Sequence, residues 1–208
     1  MKNLLLAAAL CLGAAATASA QTSAAGQKTT ASGTGLLGQT YVGLDYGYIN
    51  LPDTCVNAQG LKFEYNQSLN TGFDLNLSYA GSRTEKFATR RNTEQVVDAS
   101  AIAFIPEYSW GKPFIGVGAG WAWTKTNGAK DNAFQWNGQA GIEFQVTRAW
   151  TVTPYVKYTI SDVYDTAHLW NYAVKTNYWI TKQWGLQAGV DHTNHQAWAY
   201  SAGVNYKF

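Results

Sequence analysis

The chain is short of three things, and each shortage removes a class of protein. Cysteine is scarce: there are two, Cys11 and Cys55. Cys11 falls in a segment expected to be removed, which leaves Cys55 with no internal partner and excludes a disulfide framework. Charge is scarce: Asp, Glu, Lys and Arg make up 13% of the residues, and the formal net charge is +2. That balance gives no basis for binding nucleic acid. Long apolar runs are scarce as well. Beyond the N-terminus no stretch reaches the roughly 18 residues that a membrane helix needs. Aromatic residues, in contrast, are abundant, with nine Trp and 13 Tyr.

The N-terminus carries an export pattern. Lys2 gives a short positive region, residues 4–12 an apolar core, and Ala18-Ser19-Ala20 a small-residue cleavage site before Gln21. Leu10 directly before Cys11 does not suit a lipoprotein site, where a small residue is wanted. The expected organisation is a signal peptide at 1–20, a flexible lead-in at 21–38 that is small, polar and unpatterned, and one domain at 39–208. The mature chain keeps 188 residues, with 14 basic residues against 13 acidic ones.

From Tyr41 onward, apolar or aromatic residues recur at every second position, the period of a strand with two different faces. Ten such segments follow one another. The first places Val42, Leu44, Tyr46 and Tyr48 opposite Tyr41, Gly43, Asp45 and Gly47. The fifth places Ile115, Val117, Ala119, Trp121 and Trp123 opposite Gly116, Gly118 and Gly120. The last runs Trp198, Tyr200, Ala202, Val204, Tyr206, Phe208. The fourth, about 97–108, has two readings: Ile102, Phe104 and Tyr108 mark one face, Ala101, Ala103 and Ile105 the other, and Pro106 suggests a bulge.

A soluble β-sandwich also alternates. Here, though, the apolar faces end in Trp or Tyr, as at Tyr48, Tyr79, Trp123, Trp150, Trp170, Trp184 and Trp198, while the opposite faces carry charges and amides in mid-strand. Aromatic girdles outside and a polar lumen inside are the pattern of a transmembrane β-barrel, whose sheet must close because lipid leaves no backbone group a partner. Tight links at residues 70–72, 110–112, 147–149 and 181–183 alternate with longer ones at 50–60, 81–95, 125–133, 162–168 and 192–196. The expectation is an all-β, antiparallel up-and-down barrel of ten strands, with eight as the alternative, and with both termini in the periplasm.

Lys112-Pro113-Phe114-Ile115-Gly116-Val117-Gly118-Ala119-Gly120-Trp121 resembles a strand of the porin-like, opacity-type outer-membrane families. Residues 139–144 and the turn to Trp150 resemble their next hairpin, and the aromatic terminus at Phe208 resembles their C-terminal signal. The resemblance implies residence in the outer membrane of a Gram-negative cell, among lipid and lipopolysaccharide. It also implies that the barrel-assembly machinery reads the last strand. It implies a structural or passive small-solute or ion transport role, with no cofactor. The alternatives are a surface adhesin or lipopolysaccharide-binding barrel, or a rim-site hydrolase or metal binder.

By parity the lumen receives Asp45, Lys62, Glu64, Asp74, Glu143, Lys157, Lys175, Asp191 and Lys207, with Glu107 a further candidate. These charges either fill the barrel as a salt-bridged plug or line a narrow ion path. A basic link containing Arg83, Lys86, Arg90 and Arg91 is a candidate for contact with lipopolysaccharide phosphates. His168, His192 and His195 sit beside Asp162, Asp165 and Asp191 in the last two long links, a donor set suited to Zn²⁺ or Cu²⁺ if the rings converge. Asp191-His192 departs from the Asp-x-His spacing of the omptin proteases. His192-Thr193-Asn194 lacks the serine in the His-x-Ser element of lipid A deacylases. A non-enzymatic protein is therefore expected.

Overall fold

A computed structural model describes residues 20–21, 35–51, 56–85, 92–106, 111–126, 129–161 and 168–208. Nearly all of the expected signal peptide, most of the lead-in, and Cys55, Lys86, Arg90, Arg91, Glu107, Asp162 and Asp165 lie outside the described residues. Two short strands, β1 (Ala20–Gln21) and β2 (Gly38–Gln39), pair in parallel. Ten long strands follow: β3 (Tyr41–Leu51), β4 (Val56–Asn70), β5 (Phe73–Thr84), β6 (Asn92–Phe104) and β7 (Lys112–Thr126), then β8 (Ala129–Gln145), β9 (Trp150–Ser161), β10 (His168–Trp179), β11 (Trp184–Thr193) and β12 (Trp198–Lys207). Each pairs antiparallel with its sequence neighbours. The last pairs with the first, from Trp198↔Asn50 to Lys207↔Tyr41, so the sheet is a closed ten-stranded barrel with no free edge. The eight-strand alternative is set aside.

Side-chain parity sorts the residues. Leu44, Phe63, Leu77, Val117, Trp136, Tyr172 and Leu186 face outward and are exposed, while Asp45, Glu64, Asn76, Gln139, Lys157, Asn177 and Asn205 face inward and are buried. This inverts a soluble protein and suits a solvent of hydrocarbon. The outward apolar faces end in Tyr79, Trp123, Trp170 and Trp198 toward one rim and in Trp150 and Trp184 toward the other, all exposed. The strands are 10 to 17 residues long, enough to span a bilayer core, which takes about 9–11 tilted residues.

The two rims differ. One carries tight turns fixed by side-chain acceptors. Asn70 Oδ1 accepts from Gly72 N at 3.0 Å, and Thr181 Oγ1 from Gln183 N at 3.2 Å and Trp184 N at 2.9 Å. Short polar side chains offering such local bonds favour turns over continued strand. The other rim carries the longer links, but three are shorter than expected. β7 and β8 run on to Thr126↔Ala129, so 125–133 is a projecting hairpin rather than a loop. β3 and β4 pair as far as Leu51↔Val56, and β5 and β6 continue to Thr84 and from Asn92. Ladder bonding needs only backbone, and it continues after the apolar alternation has ended. The bulge placed near Pro106 is absent there: β6 ends at Phe104, and a register shift falls between Ser68 and Asn70.

The fourth segment takes its second reading. Ala99, Ala101, Ala103 and Ile105 lie on the outer face, and Asp98, Ser100, Ile102 and Phe104 on the inner one. Glycine at β7 serves close strand approach. A Cβ on Gly120 would lie 2.4 Å from the Val97 carbonyl oxygen, and one on Gly118 2.9 Å from that of Ala99.

Candidate functional site: the barrel lumen

The inward faces of β3, β4, β5 and β10 converge on Glu64. Its carboxylate accepts from Lys62 Nζ at 3.2 Å and from Asn76 Nδ2 at 3.2 Å, lies 4.0 Å from Lys175 Nζ, and accepts the Tyr41 hydroxyl. Across the lumen, Asp98 on β6 lies 3.9 Å from Lys157 Nζ and accepts from Ser100 Oγ at 2.7 Å. Asp45 accepts from Gln187 Nε2, and Asn205 Nδ2 bridges Gln187 Oε1 and Asn177 Oδ1, both at 2.9 Å. Ion pairs withdrawn from water hold best when the remaining lone pairs and protons are also bonded, and this amide network supplies part of those bonds.

The expected lumen charges Asp45, Lys62, Glu64, Asp74, Glu143, Lys157, Lys175 and Asp191 all point inward, and none is more than 4% exposed. The wall of a water-filled channel would be wetted. These side chains instead fill the barrel. Lys207 stands apart, half-buried at the rim with its ammonium 4.9 Å from the centre of the Trp179 ring. Asp98 and Glu94, each 3% exposed, also face inward and were not anticipated. The spacing of Asp98 and Ser100 was the available signal, obscured by Ile102 and Phe104 on the same face.

Those two apolar residues have a purpose inside the lumen. Residues 35–38, the end of the expected lead-in, and Gln39 are buried in the barrel at the turn rim. Leu37, fully buried, packs with Ile102, Phe104, Phe114, Tyr155 and Ala173, while Leu36 packs with Tyr41 and Trp179. Glu143 Oε2 accepts from Leu36 N at 2.7 Å and Leu37 N at 3.1 Å, Asp74 Oδ2 accepts from Gly38 N at 3.1 Å, and Lys112 Nζ donates to the Leu37 carbonyl at 2.6 Å. Lys112 also lies 3.4 Å from Glu143. Gly38 has φ 88°, which only glycine adopts cheaply, and a Cβ on Gly35 would lie 1.8 Å from Glu143 Oε1. The sequence Gly35-Leu36-Leu37-Gly38 is therefore fitted as a plug.

The histidines do not form a cluster. His168 faces outward and stacks on Tyr158 at 5.8 Å, with the Tyr158 hydroxyl 2.5 Å from its Nδ1. His192 also faces outward, 4.4 Å from Trp198, and pairs in register with Tyr172, four residues along β10 from His168. Four residues of strand span about 13 Å, too far for one metal. Asp191 points into the lumen, away from both rings. Among the described residues no three His, Cys, Asp or Glu side chains form a metal-sized group. Arg83 is exposed on the outer face at the loop rim.

No protein-family model matches the sequence, and no curated protein matches it. Solved structures do match the fold. The barrel is similar to an outer membrane channel from Pseudomonas putida F1, with TM-score 0.50 and 10% identity over 88% of this chain and 100% of that one. It is similar also to the translocator domain of the autotransporter NalP from Neisseria meningitidis, with TM-score 0.50 and 10% identity over 81% of this chain and 87% of that one. The likeness is one of fold.

Proposed function

We propose that this protein is a porin-like barrel of the cell outer membrane, with its loop rim outside and its termini in the periplasm. Its role is structural at rest, and ions or small solutes pass only when the lumen rearranges. The observation that carries the reading is the pairing of an apolar, aromatic-belted exterior with a charged interior whose charges are buried. Outward aromatics at both rims support residence in a bilayer. Turn length supports the orientation, since outer-membrane barrels keep short turns in the periplasm. The filled lumen supports a closed resting state.

The reading is non-enzymatic. Release of fatty acid or of peptide fragments by the purified protein would overturn that part. Orientation is tested on intact cells with a membrane-impermeant maleimide, in a Cys55→Ser background. Asn132→Cys at the loop rim is expected to label and Lys182→Cys at the turn rim is not; the opposite pattern would reverse the barrel. Flux of a small sugar out of proteoliposomes tests the resting state. It is expected to stay close to that of empty vesicles.

A further inference from the structure

The outer face near the loop rim carries a row of cations that form no ion pair among the described residues. Strand register places Gln59, Arg83, Thr93, Lys125 and Lys130 in one rung across β4 to β8, through the pairs Gln59↔Arg83, Arg83↔Thr93, Thr93↔Lys125 and Lys125↔Lys130. Arg83, Lys125 and Lys130 are all exposed. Lys125 and Lys130 are directly opposite each other, with Cβ atoms about 4.5–5.5 Å apart, an arrangement that like charges disfavour. Arg83 stands two strands from Lys125, roughly 10 Å away at about 4.8 Å per strand. Three acids stand nearby. Glu94 is among the residues lining the groove below, with its buried side chain turned inward. Glu85 lies one rung farther out with its carboxylate 3.4 Å from Asn57 Nδ2, and Asp131 accepts from the backbone N of Asn132 at 2.9 Å.

Beneath Arg83 an apolar groove of about 530 Å³ runs down the lipid-facing side, walled by Leu44, Tyr46, Leu61, Phe63 and Tyr79 and headed by Arg83 with Gln59 and Thr93. Gly81 opens it: a Cβ there would meet nothing nearer than the Tyr79 hydroxyl at 3.9 Å. On the next rungs Trp123, Trp121 and Phe134 extend the apolar face beneath Lys125 and Lys130, with Trp121 and Phe134 edge to face at 6.2 Å. We infer that this surface is a binding site for lipopolysaccharide, an acyl chain lying in the Leu61–Tyr79 groove and phosphate groups bridging Arg83, Lys125 and Lys130. A phosphate between the two lysines turns their repulsion into a pair of charge-assisted hydrogen bonds. The inference rests on the proposed orientation, which puts this rim in the lipopolysaccharide leaflet.

The test is binding of purified lipopolysaccharide to the detergent-folded protein, followed by native mass spectrometry and tryptophan fluorescence. Two variants are compared with wild type: Arg83→Gln/Lys125→Gln/Lys130→Gln, which removes the cations, and Gly81→Trp, which fills the groove. Each cation at an anionic lipid surface is worth roughly fivefold in binding, so the triple variant is expected to lose on the order of 100-fold. Gly81→Trp is expected to lose at least tenfold with every charge intact. Dephosphorylated lipopolysaccharide is expected to bind wild type as weakly as the triple variant binds the intact lipid. Heat-modifiable gel mobility, read in parallel, reports the folded barrel independently. With folding intact, a loss under tenfold in either variant, or equal binding of the dephosphorylated lipid, would overturn the site and leave the membrane-barrel reading standing. Loss of heat-modifiability in wild type would count against that reading itself.

Discussion

Glu64 ties four side chains of the interior together. It is fully buried and serves Lys62, Lys175, Asn76 and Tyr41 together. Removing one partner from such a group strands the others, at a cost of about 3–5 kcal/mol. Glu64→Ala is expected to lower the unfolding free energy in urea by that amount, and Glu64→Gln, which keeps one acceptor for Asn76, by less. A loss under 1 kcal/mol in the alanine variant would mean that the cluster is solvated. The inward direction of this residue, and of Asp45, Lys157 and Lys175, was legible from parity because strand period is two and admits no drift. What Glu64 bonds to was not, since Lys175 lies 111 positions away in sequence and reaches it only through barrel closure. Asp98 was missed for a different reason. Its strand carries apolar side chains on both faces, one set for lipid and one for Leu37.

At the scale of elements, the plug at residues 35–39 is the feature that strand patterns could not reveal. It has no alternation, and its chief anchor, Glu143, is 107 residues distant. The plug is expected to be held jointly by Leu37 in its apolar seat and by the carboxylates of Glu143 and Asp74. In a Cys55→Ser background, Leu37→Cys is expected to resist maleimide in the folded protein and to react at least tenfold faster once Glu143→Gln and Asp74→Asn are added. Equal rates would mean that the carboxylates do not hold it. The β6–β7 pair depends on close approach, and backbone is what a side chain on Gly120 would strike. Gly120→Val is expected to cost about 1–3 kcal/mol in the same urea measurement. A neutral result would mean that the strands can part there. The β7–β8 hairpin shows the limit of reading loops from loss of apolar pattern. Lys125, Lys130 and Asp131 are polar and exposed, yet lie within strands.

At the scale of the whole molecule, the lipid-facing exterior and the count of ten strands follow from alternation repeated ten times, and closure follows from the need to leave no strand edge in hydrocarbon. Whether the interior conducts depends on how side chains of both signs fit together, which parity does not encode. In the proposed resting state the barrel is closed twice over: by the plug at the turn rim and by the Lys62–Glu64–Lys175 group deeper in the lumen. Planar-bilayer recording tests that most directly, comparing wild type with a variant lacking residues 35–39 and carrying Lys62→Ser and Glu64→Ser. Wild type is expected to insert without resolvable conductance steps, and the emptied variant to give stable steps in the same buffer. Stable wild-type steps as large as those of the emptied variant would contradict a filled lumen and make the protein an open pore.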